Sequence, residues 1–445
     1  MSKSRNSSRC VIAASILVLS STTFISSALA QSVFPGGTLT ISGEQTVTDD
    51  FDLVMPATVL FANGANGVLS GNIVTNGQYV QFNTLGNGHI TGGIQGGTSF
   101  IDKAGSGTLT IDGEISGGGT GIYVQGTLVL NHANTFGGGS GSVLIGNGTL
   151  VAGDDRALST ARITTQFSSA TLSANKDVTL ANNFSLNPST DLTVDTAGHA
   201  ISLTGRIQAN SGGGSAARLI KNGLGTLTLS GNNTYAGGTV LNQGTLSVSS
   251  DSNLGDVNGG ITFDGGELKF GSAFDLSTSR AINLSAGGGT IDMAGNESTI
   301  RRAISGSGGL TVEDSSNSAN GTLTLEGMND YTGATTIANG ATLALSGQGR
   351  VNQSSGVQVD GTFDVSNASS AQINNLSGHG NITLGTNYLQ INNAAGTFGG
   401  VISGDGGVNI GSGIQVFTGT NSYTGATGIM AGAVLELGSR LITSS

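Results

Sequence analysis

The chain of 445 residues contains no tryptophan, three prolines, one cysteine and only 10% charged residues. The cysteine, Cys10, falls among the first thirty residues, so the chain from Gln31 onward has none. Disulfides are thereby excluded, and stability has to come from packing and backbone pairing. Basic residues are scarce as well: 16 Lys and Arg stand against 27 Asp and Glu, for a formal charge of −11. Three of the basic residues lie in the leading segment, which leaves 13 against 27 beyond it. Nucleic acid, which requires a basic surface, is not an expected partner. No uninterrupted apolar run reaches the roughly eighteen residues of a membrane-spanning helix. The histidines His89, His132, His199 and His379 stand singly, with no second histidine or cysteine at metal-ligand spacing. No G-x-S-x-G nucleophile elbow is present either.

What the chain has in abundance is glycine, 76 residues of it, and regularly spaced aliphatics. Disordered chains combine low hydrophobicity with high charge. Here leucine, isoleucine and valine instead alternate with threonine and serine. The clearest stretch, Leu219 to Gly255, contains GTLTLSG, in which Leu227 and Leu229 alternate with Thr226, Thr228 and Ser230. After a turn at Asn232 and Asn233 the alternation returns in Leu246 and Val248. A period of two marks a half-buried strand. The phrase recurs at Gly107 to Ala152, Gly321 to Ser346 and Gly413 to Gly438, and aligning Phe136, Tyr235, Tyr331 and Tyr423 gives intervals of 92 to 99 residues. Self-similarity at fixed spacing signals a repeat architecture, in which each unit packs only on its neighbours. Asn-Gly pairs at Asn63, Asn66, Asn76 and Asn87 suit tight corners and also hairpins. The regular return of a short strand, in places after about 20 residues, favours coils of a β-helix over a meander.

Within each copy the Asn-Asn-x-Tyr-x-Gly turn is the most structured loop. Asn232, Asn233, Asn329 and Asn421 suit left-handed corners and side-chain amide ladders. Tyr235, Tyr331 and Tyr423 are read as flat corner packing in preference to a carbohydrate platform, with Gly237, Gly333 and Gly425 allowing close backbone approach.

These copies resemble the passenger-associated transport repeat, also called the autotransporter-associated β-strand repeat, of Gram-negative autotransporter passengers. LIKNGLGTLTLSGNNTYAGGTVLNQGTLSVSS at Leu219 to Ser250 carries the resemblance most closely. It implies an all-β fold, a right-handed parallel β-helix of elongated form. It further implies carriage to the cell surface by a C-terminal outer-membrane barrel, with the repeats assisting export by folding outside the membrane. The expected organisation is a signal peptide at 1–30, with Lys3, Arg5 and Arg9 before an apolar stretch and Ala28-Leu29-Ala30 as cleavage site. N-terminal coils at 31–100 and the repeat-bearing β-helix at 101–445 follow. No translocator barrel is expected within these residues, since the alternating strands with aromatic girdles of a barrel are missing; a fragment or truncated product is favoured over a stand-alone β-helix.

The function expected is a secreted or cell-surface structural and adhesive passenger, monomeric, meeting a host-cell or extracellular-matrix ligand. Without a translocator it would remain periplasmic. No catalytic, cofactor-binding or metal-binding residue is assigned. The alternative is a β-helical polysaccharide lyase or hydrolase, for which Asp49, Asp50 and Asp52, Asp154 with Asp155, and Glu313 with Asp314 are the candidate acids. Neighbours on a strand point to opposite faces, so these pairs in sequence are not pairs in space, and solvated loop acids are the preferred reading.

Overall fold

A computed structural model describes residues 10–11, 16–19, 32–34, 36–48, 50–97, 99–137, 141–167, 169–210, 217–316, 318, 321–438 and 440–443. It is a parallel β-solenoid of about 18 turns. Among the described residues there is no α-helix, only a single turn of 3-10 helix at Asp251–Leu254. The chain divides into two compact units, Met1–Leu219 and Ile220–Ser445. Most of the expected signal segment lies outside the described residues; within it, Cys10–Val11 and Ile16–Leu19 pair in parallel with Ser32–Phe34 and Gly37–Ile41.

In the first unit each turn consumes about 20 residues and lays down three short strands, as in Ala57–Phe61, Asn66–Leu69 and Ile73–Val74. The next turn repeats them at Val80–Thr84, Asn87–Ile90 and Ile94–Gln95. Alternation decides which side chains face inward. In Ala57–Phe61 the buried residues are Ala57, Val59 and Phe61. Parallel pairing, shifted once between Val124 and Gly126, then stacks like on like: Leu109, Leu128, Leu150, Leu172 and Val194 share one register position, and all five have no exposed surface. Gly88 sits inward in the same column because the Phe61 ring fills the space; a Cβ there would lie 2.7 Å from the ring.

The second unit is built in the same way. Leu227, Leu246, Leu268 and Ile291 stack in one column, and Leu323, Leu343, Phe363, Ile382 and Ile402 in another. Outward positions carry Thr226 beside Thr245 and Thr228 beside Ser247. Amide ladders run between turns, as in Asn242 donating to Asn222 at 2.8 Å and Asn87 to Asn66 at 3.1 Å.

Leu246→Ala removes a fully buried side chain from a column that cannot collapse, because the strands above and below fix its width. It should cost about 2–5 kcal/mol in urea denaturation. Ser247→Ala, on the outer face of the same strand, should stay within about 0.5 kcal/mol of the parent.

Candidate functional site

Each repeat corner is built around an aromatic and an asparagine two residues before it. Tyr235 and Tyr331 are 0% and 1% exposed, so neither offers a face to an external ligand. Their hydroxyls are satisfied internally, by Thr239 at 2.8 Å and Thr335 at 2.6 Å. Burial pushes the Tyr235 phenol up to about 12 and the Tyr331 phenol higher still. Tyr423 makes the same contact with Thr427 at 2.7 Å but is only half-buried. In the first copy Phe136 is fully buried and has no hydroxyl to satisfy. The threonines were not singled out from the sequence, although Tyr-x-Gly-x-Thr recurs unchanged at Tyr235, Tyr331 and Tyr423.

The asparagines act differently from the left-handed corners expected of them, because none of Asn232, Asn233, Asn329 and Asn421 has a positive φ. The amides of Asn233, Asn329 and Asn421 reach across to neighbouring turns. Asn329 accepts from the Ile304 N–H at 2.8 Å and donates to the Arg350 carbonyl at 3.0 Å, joining the turn before to the turn after. Asn134 does the same with the Ile115 N–H and the Ala157 carbonyl. Asn421 accepts from the Ile402 N–H at 2.9 Å, and Asn233 donates to the Asn253 carbonyl at 2.6 Å. Asn232 faces solvent. Left-handed backbone at this corner falls on Gly238, with φ +86°. Gly333 and Gly425 lie against the previous turn, where a Cβ would sit 2.3 Å from the Gly308 backbone and 2.4 Å from the Gly406 carbonyl. Gly237 is partly exposed.

Buried cations were also missed from the sequence. Lys103 donates to the carbonyls of Ala104, Gly105 and Gln125. Lys221 donates to those of Asn222, Gly223 and Gln243. Each ammonium group gathers three carbonyls at a corner, two from its own turn and one from the next. Burial lowers Lys103 to about 8, the Asp102 charge opposing it. The shared Lys-x-Gly-x-Gly-Thr-Leu-Thr phrase was the available signal. Arg280, also fully buried, binds both Asp251 oxygens and the carbonyls of Leu254 and Gly259 beneath the 3-10 turn.

Five of the candidate acids are occupied in turns, while Glu313 lies on a strand beside Asp292 of the preceding turn. Asp50 accepts from the Asn72 N–H, Asp52 from the Asn76 amide and Asp155 from the Thr179 N–H, each on the following turn. Asp154 accepts from the Arg156 N–H, Asp314 accepts from the Gly295, Ser316 and Gly321 N–H groups, and Asp49 lies outside the described residues. Among the described residues no group of three or more His, Cys, Asp or Glu could hold a metal. His89 pairs with Asp112 at 2.5 Å in an open groove of about 520 Å³ lined also by Asn66, Asn87, Thr110 and Asn131. His199 and His379 lie 3.8 Å from Asp177 and Asp360, and His132 contacts the Ala133 carbonyl.

The passenger-associated-transport-repeat family matches residues 219–248, 320–345 and 410–437, the three segments that hold the Tyr235, Tyr331 and Tyr423 corners. The chain carries the repeats of an autotransporter passenger domain. The passenger is also similar to the adhesin BmaC autotransporter of Brucella suis biovar 1 (strain 1330), 42% identical over 89 residues. That match covers 20% of the passenger and 2% of the adhesin. No solved structure matches the passenger.

Truncating Asn329 to alanine orphans the buried Ile304 N–H and a carbonyl at once. It should cost about 1–3 kcal/mol in chemical denaturation, whereas Asn232→Ala should be close to neutral. A second outcome concerns acid. Burial alone pushes the Asp292 carboxyl up, but hydrogen bonds from Lys269, Ser315 and Ala294 outweigh it and hold the group below its ordinary 3.8. Asp314 is likewise raised by burial and brought down further by Ser316, Gly321 and Gly295. Carboxyls depressed in the folded state stabilise it fully above the ordinary value, and that contribution is lost as pH falls through the lower folded values. The thermal midpoint followed by circular dichroism should therefore stay level from neutral pH to about 5 and fall below about 4. A midpoint unchanged down to about pH 2 contradicts this assignment.

Proposed function

We propose that this passenger is displayed at the bacterial surface as a structural and adhesive β-helix, without catalytic activity, and that its repeats assist folding and export across the outer membrane. The observation that carries the reading is the coincidence of the family match with the asparagine and tyrosine corners that tie successive turns together. A corner of that kind is satisfied only when the adjoining turns are in place, so a segment emerging from a pore gains stability as it folds and resists return. The export partner is an outer-membrane translocator barrel supplied outside these residues. An N-terminal signal peptide at 1–30 directs passage across the inner membrane, and the exported passenger is a monomer.

The adhesive part of the reading draws support from the similarity to an adhesin and from carboxylates occupied in turn hydrogen bonds. Glycosidic chemistry needs two carboxyl groups free to face a bond from either side. The ligand class is a host-cell or extracellular-matrix component, and nucleic acid is not one, given the acidic charge.

Two measurements test the halves separately. Substituting Asn233, Tyr235, Asn329 and Tyr331 together in the full-length protein should reduce passenger accessible to external protease several-fold, with signal processing unchanged. Equal surface display would remove the export role. Beads coated with purified chain should be retained on host cells or matrix above uncoated beads, and retention no higher than the control sinks the adhesive role.

A further inference from the structure

Between Tyr79 and Leu144 the outer face of the turns changes character. Elsewhere exposed large apolar side chains such as Leu224 and Tyr388 also occur; here aromatic rings follow one another on successive turns. Tyr79 immediately precedes Val80 and Phe100 immediately precedes Ile101, which are paired, so the two rings occupy the same column on successive turns. Gln81, Asp102, Tyr123 and Leu144 form the adjacent column. Tyr79 is 38% exposed, and Phe100, Tyr123 and Leu144 are partly so.

The rings are held in place. Tyr79 and Phe100 are parallel to within 7°, with centroids 6.2 Å apart. A Cβ on Gly121 would lie 2.8 Å from the Phe100 ring, and one on Gly146 2.9 Å from the Tyr123 hydroxyl. Both rings therefore rest over glycines of the following turn, where any other residue would push them off. Tyr79 donates to Asp102 at 2.6 Å, and Gln81 donates to the same carboxylate oxygen at 2.8 Å. Gln125 donates to the Tyr123 hydroxyl at 3.1 Å. Burial and the adjacent Asp102 carboxylate push the Tyr79 phenol up to about 12, so it stays protonated as a donor.

A preorganised row of flat rings edged by amides, hydroxyls and a carboxylate matches a partner with an apolar face and a rim of hydroxyl groups. Charge narrows the choice: the strip carries Asp102 and no cation, since Lys103 turns inward to three carbonyls. Anionic partners are thus disfavoured. Size narrows it again. Three rings present at most about 450–750 Å² even when wholly exposed, and these are half covered, whereas a stable protein interface needs about 800 Å² from each side. Tyr79 and Tyr123 lie two turns apart along the solenoid and two residues apart across it, roughly 12 Å from one another, a separation on the scale of alternate sugars in an extended β-linked chain.

We propose that Tyr79, Phe100 and Tyr123, with Gln81, Asp102 and Gln125 at their edges, bind a neutral β-linked glycan chain. The rings stack on alternate sugar faces, and the polar groups hydrogen-bond the hydroxyls between them. This gives the adhesive role its ligand class and rests on that role.

The purified full chain can be titrated with cellotetraose and chitotetraose, and with a sulfated heparin octasaccharide as the anionic comparison. With no tryptophan present, tyrosine fluorescence reports directly. At least one neutral tetrasaccharide should bind saturably, with affinity lowered about tenfold by Tyr79→Ala and again by Tyr123→Ala, the loss expected of one stacking contact each. Tyr79→Phe, which keeps the ring, should lose less. Far-UV circular dichroism and the melting midpoint of each variant establish that the solenoid is intact. Failure of both tetrasaccharides to bind the parent overturns the proposal, as does binding unchanged in the double alanine variant. Preferential binding of the sulfated octasaccharide overturns it too, and so does a change in sedimentation behaviour of the variants without any change in glycan affinity. Glycan binding that disappears in the variants while beads coated with the parent show no retention on cells supports the glycan face and removes only the adhesive role.

Discussion

A parallel coil cannot satisfy its own backbone. Each strand divides its N–H and carbonyl groups between the turn before and the turn after, as when Val68 donates back to the Gln45 carbonyl and Ile73 forward to that of Gly93, and an unpaired buried group costs as much as a lost hydrogen bond. The architecture follows from that dependence. Turns must stack in register, register places leucine on leucine, as in the column from Leu109 to Leu172, and wherever the chain bends the ladder breaks and something else must supply the missing partner. The buried Lys103 and Lys221 ammonium groups and the corner asparagines are two answers to that one requirement. A glycine against the previous turn is a third, since Gly333 lets backbone meet backbone.

Much of this was legible in the sequence because alternation is a local signal. The strands at Thr226–Leu229 and Thr245–Val248, their pairing in like positions and the recurrence of the phrase all follow from residues read in order. The tyrosine corners could be placed for the same reason. What could not be read was how polar groups are used. A lysine in a loop phrase looks solvated, and only the fold shows that Lys221 turns back into a ring of carbonyls. Asparagine in a turn suggests left-handed backbone, yet Asn329 keeps an ordinary φ and uses its amide to join turns that lie 25 and 21 residues away. Residues that distant are adjacent only because each turn returns to the same face.

The same geometry explains why surface acids and aromatics have different standing here. Aspartates such as Asp50, Asp155 and Asp314 are drawn into turn hydrogen bonds because the bends leave N–H groups exposed at regular intervals. Tyrosine has two distinct uses, inward at Tyr235 and Tyr331 and outward at Tyr79 and Tyr123. The difference is set by the parity of each position along its strand or corner and not by the residue itself.

The asparagine that holds the turn before and the turn after makes the smallest self-contained block of this fold three turns thick. Such a chain lengthens or shortens in inheritance by gain or loss of whole blocks, and a junction drawn through a block strands an amide with half its partners. Intervals of 92 to 99 residues between corners, at about 20 residues a turn, leave roughly two turns between one block and the next. Those spacer turns are where length and surface can drift without disturbing the corners, and the outward aromatic strip begins on turns of that freer kind, ahead of the Asn134 corner.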